Sequence, residues 1–348
     1  MLVLDDGWFG KRNGDNCSLG DWYPNLEKLP NGITGLAKKI EDMGMKFGLW
    51  FEPEMTNKDS DLFRAHPDWI LADVRRQYCH SRNQYVLDLF SNGNGRSWQG
   101  KVRHKYILGV YELYERLIQE FPEILFESCA SGGARFDPGL LYYAPQTWTS
   151  DNTDAVERIK IQYGTSYVYP LSSIGSHVSA SPNHQVFRDT PIETRGNVAF
   201  FGTFGYELDI TELSEDDLEK MKEQISFMKE HRKLIQQGIF TRLKSPFEGN
   251  NSAWQVASED KEEVLAFYFR LLEPAQGKFE RIYLQGLKET AIYRVQECFG
   301  DKLDFGEHYG DELMYAGFSV SDCSAGIPML ARKQQGDYFS RLFYLKKV

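Results

Sequence analysis

From residue 1 to about 238, short apolar runs repeatedly end on polar or acidic side chains, and amphipathic helical stretches separate them. "LVLDDGW" and "KFGLWFEPEM" both finish in carboxylates, and "QYVLDL", "ILFESCASGG" and "TWTSDNTDA" follow the same plan. Between them lie helical patterns. In "GITGLAKKIEDMGM", Ile33, Leu36, Ile40 and Met43 share one face; "HKYILGVYELYERLIQEF" and "VERIKIQYGTS" are further helices. "SSIGSHVSA" and "NVAFFGTFGYELD" come next, and the helix "SEDDLEKMKEQISFMKEHRKLI" closes the region, with Ser214 as its N-cap and acids in its first turn. Near-continuous apolar strands alternating with helices require a parallel sheet covered on its faces, which is an α/β architecture. Acidic residues gathered at strand C-terminal ends favour a (β/α)8 barrel, because that is where such barrels place their chemistry. A doubly wound sheet is less consistent, since no G-x-G-x-x-G follows a strand.

Beyond residue 239 the period changes. "SAWQVAS", "EVLAFYFRLL", "RIYLQGL", "AIYRVQEC" and "SRLFYLK" are short strands separated by turn residues, with no long helical pattern. Residues 239–348 are therefore expected to form an antiparallel β-sandwich, following a barrel domain over 1–238. A length of 348 residues suits two domains.

A net charge of -10 argues against nucleic acid or an anionic membrane as the main partner. No apolar run is long enough to span a bilayer, and "MLVLDDGWFG" lacks the pattern of a signal peptide. Five cysteines, scattered without C-x-x-C spacing, predict reduced thiols in a cytoplasmic protein rather than a disulfide framework or a zinc site.

Five features at strand ends carry chemistry. Asp5 and Asp6, followed by Gly7-Trp8, can accept hydrogen bonds from two neighbouring sugar hydroxyls while a tryptophan covers an apolar sugar face. A solvated acidic loop is the simpler account of the pair alone. Trp50, in "GLWFEPEM" with Glu52 and Glu54, is suited to wall a pocket, or to pack in a core. Arg82, in "HSRNQ", offers a fixed fork for a carboxylate or sugar oxygen, though a surface arginine costs less. In "ESCASGGARFD", the small residues around Gly132 permit close backbone approach to a ligand, and Cys129 points from the strand end; an inert buried cysteine is the alternative. In "WTSDNTDA", Asp151 beside Trp148 is suited to a raised pKa and a general-acid role. Asp154 fits the cap of the next helix better, which leaves Asp151 out of the cap. A metal-dependent hydrolase using Asp5, Asp6, Glu52, Glu54 and a histidine is disfavoured: His66, His80, His177 and His184 show no H-x-H or H-E-x-x-H spacing, and no cofactor motif is present.

In their order, "VLDDGWFGKR", "LGDWYPNLEKLPNGI", "FGLWFEPEM", "RNQYVLDL", "LFESCASGGARFDPGLLYYAPQTWTSDNTDA", "KIQYGTSYVYPLSS" and "HVSASPNHQ" resemble the bacterial α-galactosidases of glycoside hydrolase family 36. The resemblance covers nearly the whole chain. It implies a retaining enzyme with a (β/α)8 barrel and a C-terminal β-sandwich, acting on terminal α-D-galactosyl groups of oligosaccharides such as raffinose and melibiose. It implies no cofactor, and members are often homo-oligomers. It also implies that Asp5 and Asp6 bind galactose hydroxyls, that Trp50 and Arg82 line the same subsite, and that Cys129 and Gly132 lie near the sugar. Asp151 would be the acid/base.

The nucleophile of this resemblance is an aspartate in a Lys-Trp-Asp-x-Asn motif, between the strand matching "YVLDL" and the helix matching "HKYILG". The motif does not occur here, and "FSNGNGRSWQGKVR" alone fills the interval. A helix and a strand of the family are thus expected to be missing at this junction. "LVLDDGW" begins without a preceding barrel strand, and the family's N-terminal β-sandwich has no counterpart in the sequence. About six barrel strands are expected where closure takes eight, leaving apolar edges that weaken the fold. Asp88, in the inherited strand, is read as structural rather than as a substitute nucleophile, and Glu52, Glu54 and Asp209 have no better case. The alternatives are therefore a glycosidase with little turnover, or a non-catalytic galactoside-binding remnant or gene fragment.

Overall fold

The computed structural model describes residues 1–71, 83–89, 99–274, 280–320 and 336–348. They fall into two compact units, Met1–Pro122 and Glu123–Val348.

In the first unit, β1 (Leu2–Leu4) pairs in parallel with β2 (Phe47–Leu49), and α1 (Gly32–Asp42) joins them. The helical stripe holds in part. Ile40 is buried and Ile33 packs on an aromatic core of Trp8, Phe9 and Leu19. Met43 departs from the expectation: it is 67% exposed, because the helix ends at Asp42 and the stripe is not continued into the core. β3 (Met55–Asn57) pairs antiparallel with β4 (Gln84–Val86). The run "QYVLDL" therefore joins no parallel sheet among the described residues. Its backbone groups need partners wherever they lie, and the neighbouring segment supplies them: Leu87 N–H donates to the Glu54 carbonyl at 2.9 Å. A short helix, α2 (Asp61–Ala65), is capped by Ser60. After the junction, α3 (Gln99–Glu120) runs back along this segment: Tyr106 donates its hydroxyl to Glu54, and Gly109 is so close to Leu89 that a Cβ there would lie 3.0 Å from its carbonyl oxygen. Residues 90–98, the centre of the junction, lie outside the described residues.

The second unit starts with four parallel strands in sequence order, β5 (Glu127–Ser128), β6 (Gln146–Trp148), β7 (Ile174–Ser179) and β8 (Thr203–Glu207). Helices α4 (Pro138–Tyr143), α5 (Ala155–Thr165), α6 (Ile192–Ala199) and α7 (Glu215–Gln237) alternate with them or follow. Two caps read from the sequence are realised. Ser214 Oγ accepts from Asp217 N–H at 3.1 Å, with Glu215, Asp216 and Asp217 in the first turn; Asp154 accepts from Glu157 N–H at 3.0 Å and opens α5. Both satisfy N–H groups that a helix start leaves without partners, and the acids complement the helix dipole.

The chain then forms β9 (Ile239–Lys244), β10 (Asn251–Ala257), β11 (Glu263–Arg270), β12 (Arg281–Ile282), β13 (Ile292–Glu297), β14 (Asp304–Tyr309), β15 (Phe318–Ser319) and β16 (Phe339–Lys347). Six of these make one antiparallel sheet in the order β14-β13-β16-β11-β10-β9; β12 and β15 form a separate pair. Every residue of β10 is buried, because both faces of the sheet are covered. One face packs under β12 and β15 through Ile282, Phe318, Tyr293 and Phe343. The other carries Trp254, Phe267 and Phe269 against Phe201, Ile159, Leu234 and Ile235 of the helical layer. Trp254 is fully buried, with ring centroids 4.3 Å from Phe201 and 4.6 Å from Phe269.

Truncating Trp254 to alanine is expected to cost about 3–5 kcal/mol, read as a lower urea midpoint. His231 stands 4.5 Å from the Phe227 ring and 4.9 Å from the Tyr344 ring, and burial lowers its pKa. The folded imidazole thus stays neutral where the unfolded chain already binds a proton. Its stabilising share is complete above about pH 6.5 and is lost as the pH falls toward the depressed folded value. Urea midpoints should decline over that acidic window, and His231→Phe should flatten part of the decline; an identical slope in the variant refutes the assignment.

Candidate functional site

Asp5 and Trp50 leave adjacent strand ends. β1 and β2 run in parallel with Leu4 beside Leu49, and Trp50 N–H donates to the Leu4 carbonyl at 3.0 Å. Asp5, Asp6 and Trp50 therefore lie at neighbouring strand ends within this unit. Both aspartates are exposed, and Asp5 Oδ1 accepts from the Asp6 backbone N–H at 2.8 Å. Trp50 is half-buried in an aromatic group, 6.4 Å from Phe9 in a stacked arrangement and 6.2 Å from Trp22 edge-on. Trp8 is buried instead of covering an open face: its indole N–H donates to the Trp50 carbonyl at 3.0 Å. Trp8 is thus part of the core, and Trp50, half-buried, packs against its edge.

Asp6 has a partner that the motif reading missed. Arg12, only 4% exposed, donates from Nε to Asp6 Oδ1 at 2.9 Å and from Nη2 to Oδ2 at 2.7 Å. Burial works against the Arg12 cation, and the hydrogen bond and charge of Asp6 outweigh it, so its pKa is raised. The available signal was an arginine six residues beyond the carboxylate, across a glycine-containing turn short enough to fold back.

In the second unit, Cys129 follows β5 and Asp151 lies just beyond β6; the two strands are parallel, so both residues leave the same end of the sheet. Cys129 is exposed, which sets aside the reading of a buried inert thiol. The glycines after it make a close approach to the protein's own backbone. Gly132, at φ +73°, would place a Cβ 2.6 Å from Ser150 Cα and 2.8 Å from Asp151 N, and Gly133 N–H donates to the Thr149 carbonyl at 3.0 Å. Gly132 and Asp151 are thus in direct register across two loops. Asp151 is half-buried and is not the helix cap, a role Asp154 fills.

The segment carrying Asp151 is fixed from beneath by Arg158, which is 2% exposed. Its Nη1 donates to the Ser150 carbonyl at 3.0 Å, Nε to Gln162 Oε1 at 3.1 Å, and Nη2 to the Gly175 carbonyl. Its guanidinium lies 4.6 Å over the Trp148 ring, whose other neighbour is His177 at 4.7 Å. Burial lowers the Arg158 pKa to about 10.

Arg82 lies outside the described residues. Asp88 is half-buried, its N–H donating to the Trp69 carbonyl at 2.7 Å, and Glu54 accepts from Tyr106. Among the described residues no group of three or more His, Cys, Asp or Glu is arranged to hold a metal ion. Cys17, Cys129 and Cys298 are not in disulfides, and no helix among the described residues is long and apolar enough to cross a membrane.

A sequence model of the melibiase family matches residues 1–97 and 90–238, and one of the glycosyl hydrolase family 36 C-terminal domain matches 251–345. The chain belongs to glycoside hydrolase family 36. It is 45% identical to α-galactosidase AgaA of Geobacillus stearothermophilus over 100% of its own length and 50% of that protein. Its structure is similar to the crystal structure of the family 36 α-galactosidase AgaB from Geobacillus stearothermophilus, with a TM-score of 0.88 at 45% identity over 99% of this chain and 50% of that one. An AgaA variant in complex with raffinose matches with a TM-score of 0.88 at 44% identity, over 99% of this chain and 51% of that one. This family 36 chain spans about half the length of the curated relatives it matches. Its fold class is that of its structural neighbours, an α/β (β/α)8 barrel followed by an antiparallel sheet domain. Six strands of this family 36 chain, β1, β2 and β5–β8, are paired in parallel among the described residues.

The family comparison also locates a gap. The alignment with AgaA runs over 384 positions and takes in all of this chain. With 348 residues present, about 36 aligned positions of the relative have no counterpart here. The family match itself is broken where its two pieces meet, at 90–97, inside the junction singled out from the sequence.

Gly132→Ala should force apart two backbones in contact and strain a left-handed residue. A loss of about 2 kcal/mol or more is expected, seen as a lower thermal midpoint; a change of Ser131 to Ala in the same turn is the comparison that should lose less.

Proposed function

We propose that this chain has the substrate-reading architecture of a retaining α-galactosidase, directed at terminal α-D-galactosyl groups of oligosaccharides, with Asp151 as general acid/base and little or no turnover. Residues 1–238 are the partial catalytic barrel and 239–348 the C-terminal β-sandwich domain. Asp5, Asp6, Trp50 and Arg82 contact the sugar, with Cys129 and Gly132 beside it. A cytoplasmic location, no cofactor and possible homo-oligomers go with this reading, as does the lack of any nucleic-acid or membrane partner.

One observation carries the proposal: the family match breaks at 90–97, in the interval where the resemblance places the nucleophilic aspartate, while the motifs around Asp5, Asp6 and Asp151 stand. Retaining hydrolysis uses two carboxyls about 5 Å apart, one to attack the anomeric carbon and one to protonate the leaving oxygen. With the acid kept and the attacking group absent, the chain retains recognition and loses the covalent step. The raffinose bound to the AgaA variant shows the ligand class in a relative. The missing motif equally favours a galactoside-binding remnant, which differs from the first reading only in residual turnover.

Calorimetric titration with methyl α-galactoside, run beside an assay with an aryl α-galactoside, separates these outcomes. Binding near millimolar or tighter without turnover is the expected result. Turnover abolished by Asp151→Ala would show that another carboxylate serves as nucleophile. Absence of both binding and cooperative unfolding would refute the proposal.

A further inference from the structure

Asp6 does not hang free from its strand end. Its carboxylate takes both arms of the Arg12 fork, Nε to Oδ1 at 2.9 Å and Nη2 to Oδ2 at 2.7 Å. The remaining arm is committed as well: Nη1 donates to Asn57 Oδ1 and to the Cys17 carbonyl, each at 3.1 Å. Asp15 stands 3.6 Å from Nη2. Asn57 is fully buried and is pinned in turn. Its Oδ1 also accepts from Leu19 N–H at 2.9 Å, and its Nδ2 donates to the carbonyls of Asp15 and Asn83, each at 3.0 Å. Lys28 ties the same turn by donating to the Gly7 carbonyl at 2.9 Å.

A guanidinium with its donors engaged has no rotational freedom left, and a two-point contact fixes the plane of the carboxylate as well as its position. Arg12 engages the inward side of both Asp6 oxygens, Nε also reaching Oδ2 at 3.1 Å, and a carboxylate offers about four acceptor sites in all. The Asp6 side chain remains 35% exposed, so its outward acceptor sites stay open to a ligand. A surface carboxylate in a simple structural ion pair would gain little from burying its partner to 4% exposure, since exposed pairs contribute about 0–1 kcal/mol. The link from buried Asn57 through buried Arg12 to the exposed Asp6 carboxylate is better suited to orientation than to stability.

We propose that Arg12 is a positioning residue for sugar recognition: it sets the plane of the Asp6 carboxylate so that both outward acceptor sites meet neighbouring hydroxyls of the galactosyl ring together. This rests on the reading of Asp6 as a sugar contact given above. Preorganisation removes the ordering cost that a mobile carboxylate would bear on binding, so losing Arg12 weakens affinity through Asp6 and through no other contact.

A double-mutant cycle tests this, with methyl α-galactoside titrated calorimetrically into the full chain, Arg12→Gln, Asp6→Asn and the double variant, each checked for cooperative unfolding. Arg12→Gln should weaken binding by about 10-fold, and by less than about 2-fold in the Asp6→Asn background. Equal losses in both backgrounds would mean that Arg12 serves the fold alone, and unchanged affinity in Arg12→Gln would dismiss the role outright. If Arg12→Gln does not fold, Arg12→Lys replaces it in the same cycle: the charge is kept, the fork is lost, and a smaller loss confined to the Asp6 background is expected. Failure of the unmodified chain to bind overturns the sugar-site reading itself, a result distinct from a cycle in which binding occurs and the coupling is absent.

Discussion

The second unit depends on one shared core. Trp254, Phe267 and Phe269 of the antiparallel sheet meet Phe201, Ile159, Leu234 and Ile235 of the helical layer in one buried apolar cluster. A parallel sheet is stable only when its faces are covered, and the four strands β5–β8 gain part of that cover through helices which themselves lean on β10 and β11. Ile159 belongs to α5, the helix whose Asp154 cap lies three residues after Asp151. The position of the candidate acid/base is therefore set by aromatic packing contributed about one hundred residues further along the chain.

Two buried arginines carry the fine positioning. Arg158 spends its donors on the carbonyls of Ser150 and Gly175 and on Gln162, and rests on Trp148. Arg12 spends its donors on Asp6, Asn57 and Cys17. Leaving either guanidinium unpaired in the interior costs several kcal/mol, so each holds its loop in one arrangement. The difference between them is chemical: Arg158 fixes backbone, whereas Arg12 fixes the Asp6 carboxylate.

Much of this was legible from local pattern. The caps Ser214 and Asp154 follow from short polar side chains at the start of apolar-periodic runs, and the change of period near residue 239 marks the antiparallel sheet. The stripe Ile33–Ile40 follows from helical spacing. Met43 did not, because the periodicity outlasts the helix itself. β4 was read as one of the parallel strands, and its antiparallel pairing with β3 depends on which backbone edge lies near, a fact periodicity does not contain. Short helices such as α4 and α6 were overlooked, since six or eight residues with Pro, Gly or Thr among them give too little period to register. In the candidate site, Asp5, Asp6 and Trp50 were found as residue types at strand ends, but Arg12 was not, since an arginine beyond a turn looks the same whether solvated or folded back.

The sequence by itself determined the family, the change from alternating strands and helices to short strands near residue 239, the acids at strand ends and the absence of the Lys-Trp-Asp-x-Asn motif. These are properties of residue identity and spacing, which no arrangement in space can alter. Only the tertiary structure decided that Gly132 presses on the backbone of Ser150 and Asp151, that Trp8 is core while Trp50 is rim, and that Asp6 is gripped by a buried guanidinium. Each of these is a contact between segments whose separation in sequence says nothing about their approach, and it is close packing and the need of buried polar groups for partners that bring them together.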